Sequence, residues 1–146
     1  MTKSEKALEY FRGRFNCSQS IFAVFGPEFG LSEDECFKIA CAFGGGMGRQ
    51  QLTCGAVTGA LMVLGLKFGK GLEDPEEKKK LTYQKAKEFF DEFARLNGSA
   101  KCIELLDGLN MNNPDELEII KERKLFDIKC EKYVADAVKI LESMME

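Results

Sequence analysis

The chain has 146 residues, 45% of them hydrophobic and 31% charged, with a formal net charge of -3 and a pI near 5.2. That length suits one domain around one core, and that balance excludes a disordered chain. The acidic excess argues against an electrostatic grip on nucleic acid or on an anionic membrane, and the complete lack of His excludes His-ligated metals, Ser-His triads and Cys-His pairs.

The N-terminus, from Met1 to Tyr10, carries no apolar signal-type stretch, so a cytoplasmic location is expected. A helix is expected over 4–14. Asn16-Cys17-Ser18-Gln19 has the form of a capping box, in which the N-cap side chain and the residue three positions on satisfy each other's backbone N–H groups. It predicts a helix over 17–25. Ser32-Glu33-Asp34-Glu35 repeats the pattern and predicts 33–43. An irregular segment, Gly44 to Arg49, follows. Thr53 then serves as N-cap for 54–68. The run Leu52–Leu66 bears no charge and is 15 residues long, short of the roughly 20 that span a bilayer, so it reads as a buried core helix without membrane insertion.

Asp74-Pro75 puts Pro at the first position of a helix over 75–97, where Ala86, Phe89, Phe90 and Phe93 share a face. Ser99 is the expected N-cap of 100–106. Asn113-Pro114 opens 114–126, and Asp127 opens 128–144, with Val134, Ala137, Val138, Leu141 and Met144 on one face. No alternating run suggests a strand. The expected architecture is all-α: a single domain over 1–146, built as a bundle of seven or eight helices around a central apolar helix.

Six cysteines stand out. Cys17, Cys54, Cys102 and Cys130 fall in the first turns of four expected helices. There, unsatisfied N–H groups and the positive end of the helix dipole favour a thiolate over a thiol. Cys36 and Cys41 fall in apolar surroundings and read as small core hydrophobes. No C-x-x-C is present, so the thioredoxin and zinc-ribbon patterns are absent. The four helix-start thiols lie far apart in the chain, and act together only if the fold brings their helix ends to one place.

Gly55 and Gly59 lie four apart on one face of the apolar helix, which implies close approach of another helix or of a bound group. The glycine loop before it lacks the Gly-Lys-Ser/Thr of a phosphate loop. Its expected use is to bring backbone N–H groups and Arg49 towards the Cys54 sulfur.

The run FGGGMGRQQLTCGAVTGALMVLG, from Phe43 to Gly65, resembles the redox-active protein family labelled by the pattern C-GCAxxG-C-C. So do Asn16–Gln19, Cys102-Ile103-Glu104-Leu105-Leu106, and Cys130 followed by Tyr133-Val134. The pattern's four cysteines fall on Cys17, Cys54, Cys102 and Cys130. Cys36 and Cys41 lie outside it. This chain departs from the label in having Thr53, not Gly, before Cys54. The resemblance implies redox activity and an association with transporter loci, hence a redox or transport partner.

Three functions follow from these residues. The first is thiol redox chemistry at Cys17, Cys54, Cys102 and Cys130, with Cys54 as the attacking thiol and Gly55, Gly59 and Arg49 placed to bind a cofactor. The second is a metal site on the same four cysteines, for zinc or an iron–sulfur cluster. The third is a structural or partner-binding domain. The Gly55/Gly59 face or surplus Phe residues offer a surface for a homodimer. The acidic residues, Glu116, Glu118 and Glu122 among them, form no acid–base pair of a hydrolase.

Overall fold

A computed structural model describes all residues, 1–146, as eight α-helices with no strand beyond one isolated bridge. Three of the first four helical starts are fixed by the side chain before them. Thr2 caps α1 (Lys3–Gly13) and Asn16 caps α2 (Cys17–Phe25). Ser32 caps α3 (Glu33–Ala40), and all three are full capping boxes. In the Asn16 box the Gln19 N–H donates to Asn16 Oδ1 at 2.9 Å, while the Asn16 N–H donates to Gln19 Oε1 at 3.0 Å. The remaining helices are α4 (Gly55–Phe68), α5 (Glu76–Asn97), α6 (Cys102–Leu105), α7 (Pro114–Glu122) and α8 (Leu125–Met144). None is long and apolar enough to cross a membrane.

Several expected starts move. Cys54 itself, not Thr53, is the N-cap of α4. Lys101 rather than Ser99 precedes α6, and Pro75 rather than Asp74 precedes α5. Asp74 instead accepts from the Gly71 N–H in the preceding turn. Asp127 caps nothing: Lys124, in the left-handed region at φ 55°, breaks the chain earlier, and α8 starts at Leu125. The helix expected over 33–43 stops at Ala40 and tightens into a 3-10 turn at Cys41–Phe43.

The two most buried helices are α2 and α4. Every residue from Ser18 to Phe25 is buried, and so are Gly55 to Ala60, Val63 and Leu64. Helix α2 packs against α1, α3, α4 and α8, while α4 also meets α5 and α8. Burying a helix on all sides requires its polar side chains to find partners. Ser20 Oγ donates to Asn16 O, Gln19 Nε2 to Phe37 O, and Thr58 Oγ1 to Gly55 O. No buried side-chain N or O lacks a partner.

Glycine makes the α2–α4 approach possible. A Cβ on Gly59 would stand 2.7 Å from the Ser18 carbonyl oxygen and 3.0 Å from Ile21 Cβ. The Gly55/Gly59 face is therefore consumed inside the chain and is not free for a homodimer. Gly59→Ala should destabilise the fold by about 1 to 3 kcal/mol, because overpacking against backbone outweighs the better helix propensity of Ala. A denaturant midpoint equal to or above the wild type's would disprove the contact.

The core divides in two. A cluster of 23 buried residues is shared by α1 to α6 and α8. A second cluster of five, Cys102, Leu106, Met111, Ile120 and Leu125, lies under α6, α7 and the start of α8. Cys130 packs against both.

Candidate functional site

At the junction of these two clusters lies a cavity of about 510 Å³. Cys17, Cys41, Cys54, Cys102 and Cys130 all line it. Four of the five are the helix-start cysteines expected from the sequence, brought together from α2, α4, α6 and α8.

Local pairing accounts for two of them. Thr53 and Lys101 form the antiparallel bridge. Around it the Cys54 N–H donates to Ala100 O at 2.8 Å, the Cys102 N–H to Leu52 O at 2.6 Å, and the Ile103 N–H to Gln51 O at 3.2 Å. This short pairing seats the starts of α4 and α6 side by side. Gln51 ties it to the second cluster: its Nε2 donates to Leu109 O, and its Oε1 accepts from the Met111 N–H.

The glycine loop forms the rim. Gly45, Gly46, Met47, Gly48 and Arg49 all have φ between 58° and 71°, a turn of left-handed backbone. Gly46 must be glycine on a second ground. A Cβ there would stand 2.7 Å from Cys102 Cβ. The loop thus comes against Cys102, and Arg49 favours the thiolate of Cys102, not that of Cys54. This corrects the expected use of the loop. Gly55 lines the cavity, but Gly59 does not, since Ser18 and Ile21 cover it.

The thiols differ sharply in their readiness to ionise. Burial pushes Cys54 up to about 12 from an ordinary value of 9.0, although the Ala56 and Val57 N–H groups at its own helix start pull the other way. The helix-start argument has the right sign for Cys54 and is outweighed by desolvation. Cys102 is likewise pushed to about 12, by burial first and then by the charge of Cys130. Burial thus works against the role of attacking thiol expected for Cys54.

Cys17 and Cys130 behave as a pair. Both line the cavity, and their mutual interaction lowers Cys130 below its ordinary value and holds Cys17 well above it. The pair gives up a first proton more readily than a lone thiol and a second far less readily. Burial and the Asp127 charge oppose the lowering at Cys130 without reversing it. Cys130 itself lies beyond the first turn of α8, so its neighbour Cys17, not a helix end, is what lowers it.

The two cysteines outside the family pattern part ways. Cys36 is fully buried, with its Sγ over Gly26, as a core hydrophobe should be. Cys41 is exposed and lines the cavity, because α3 ends one residue before it. Asn16 reaches across to the turn there, donating from Nδ2 to Cys41 O at 3.0 Å.

Tyr133, on α8, was not singled out for the site in the sequence; it lines the cavity and donates to Leu105 O at 2.7 Å. A sequence signal was present in its position three residues after Cys130, on the same helix face. No three Cys, Asp or Glu side chains are grouped as ligands of one metal ion. Cys17, Cys54, Cys102 and Cys130, expected as zinc or iron–sulfur ligands, line one cavity without forming such a group.

A family model described as "Putative redox-active protein (C_GCAxxG_C_C)" matches residues 15–144. No curated protein and no solved structure matches the chain.

Proposed function

Because the chain belongs to that redox-active family, we propose that it is a dithiol–disulfide exchange protein whose working pair is Cys17 and Cys130. The observation that carries this reading is that Cys17 and Cys130, from two different helices, line the same cavity and shift each other's ionisation in opposite directions. One thiol is made acidic and the other kept protonated beside it, which is the division of labour an attacking and a resolving thiol require.

The exchange runs as follows. The Cys130 thiolate attacks one sulfur of an organic disulfide. A Cys130–substrate bond forms, the substrate's S–S bond breaks, and one half leaves as a thiolate. Cys17 gives its proton to that leaving thiolate and attacks the Cys130 sulfur. The mixed disulfide breaks, the second half leaves as a thiolate and takes a solvent proton, and a Cys17–Cys130 disulfide remains. The substrate gains two electrons and two protons, and the protein's two thiols lose them. A dithiol donor returns the protein by the reverse steps. Cys54 and Cys102 stay protonated at neutral pH and form neutral walls.

Mapping tests this. The reduced protein is treated with a small organic disulfide, free thiols are alkylated, and the digest is read by mass spectrometry. A Cys17–Cys130 bridge is expected, absent from Cys17→Ser and Cys130→Ser variants. A protein that leaves both thiols free, or that joins Cys54 to Cys102 first, overturns the reading.

A further inference from the structure

Arg49 is the sole charged side chain lining the cavity. It takes no part in the chain's ion pairs, which are all formed by other residues. Its backbone is nonetheless firmly held. Its N–H donates to Gly44 O at 3.0 Å, and its carbonyl accepts from Asn112 Nδ2 at 2.8 Å. It sits at φ 63°, in the left-handed region that an L side chain adopts only at a cost. A Cβ on Gly45 would stand 2.9 Å from its Cα. The fold thus accepts a strained residue to fix an arginine at this rim, and leaves its guanidinium without a protein carboxylate.

The remaining walls are mostly apolar: Phe11, Leu105, Leu106, Met111 and Phe126, with the Tyr133 ring. No Asp or Glu lines the cavity. Asp127, which acts on Cys130, is exposed and lies outside the lining. The cavity volume of about 510 Å³ falls in the ordinary range for small-molecule sites. A guanidinium with no partner at the mouth of such a space is suited to a carboxylate or another planar anion.

We propose that the substrate of the Cys17–Cys130 pair is a small organic disulfide with an apolar body and an anionic group, the anion being held by Arg49 at the rim while a sulfur reaches Cys130. This rests on the dithiol reading and adds its substrate class. Arg49 is a specificity residue here and touches no reacting sulfur.

The test compares two aromatic disulfides by stopped-flow absorbance, in a Cys41→Ser background that removes the exposed thiol. Dithiobis(nitrobenzoate) carries a carboxylate on each ring, and dithiodipyridine is neutral. The readout is the ratio of their rate constants, which cancels any change in the thiols themselves. In Arg49→Gln the ratio should fall about tenfold at low ionic strength, and the wild-type ratio itself should shrink as salt is added. Arg49→Lys, which keeps the charge, should retain most of it. A ratio that Arg49→Gln leaves unchanged overturns the role of Arg49 and leaves the dithiol reading standing. If mass spectrometry finds neither probe on Cys130 or Cys17, the dithiol reading itself falls, and the substrate class with it.

Discussion

Replacing Cys17 with alanine should slow the alkylation of Cys130 at neutral pH severalfold, because a smaller fraction of that sulfur is thiolate. The sign follows from what surrounds Cys130. Its interaction with Cys17 is the one influence that lowers it, and burial and Asp127 both raise it. With Cys17 removed, only the raising influences remain. In the wild type the rate should climb through a midpoint below 9.0, the ordinary thiol value. In Cys17→Ala the midpoint should move above that value, and the two curves should meet at high pH, where Cys130 is ionised in both proteins. Cys17→Ser keeps an O–H group and should keep a lowered midpoint. An alanine variant with the wild-type midpoint would remove Cys17 as the cause.

Oxidation of the pair should have a large effect on stability. A Cys17–Cys130 bridge joins the start of α2 to α8 and closes most of the chain into one loop. A cross-link over a loop of roughly 100 residues restricts the unfolded chain by about 4 to 5 kcal/mol. The oxidised protein should therefore unfold at a clearly higher denaturant concentration than the reduced one, with Cys130→Ser following the reduced curve under both conditions. Coincident curves for oxidised and reduced wild type would mean that the bridge does not form, or that it strains the fold by as much as it restrains the unfolded chain.

Much of the fold was legible because its signals are local. The capping boxes at Asn16 and Ser32 set the starts of α2 and α3 where the sequence put them, and Asn113-Pro114 did the same for α7. The four pattern cysteines were also legible as a set. Their convergence was not, since it depends on the pairing of 51–54 with 100–103 and on α8 passing α2, contacts between distant parts of the chain. Nor was the ranking of the thiols. Helix position gave Cys54 a favourable dipole, but the burial that reverses it comes from tertiary packing. Cys130 gained its acidity from a neighbour far away in sequence. Cys41 was misread as core because the end of α3 at Ala40 carries no Gly or Pro to mark it.

The seam between the two hydrophobic clusters has a consequence for how the protein comes into being. Cys17 belongs to the beginning of the chain and Cys130 to its last helix, and Cys130 touches both clusters. As the chain leaves the ribosome, α2 emerges long before α8, so Cys17 is made well before the neighbour it meets in the cavity. The acidic thiol arises only when the last helix docks across both clusters. A chain cut short before α8 lacks Cys130, so the Cys17–Cys130 pair is a mark that α8 has been made and has docked.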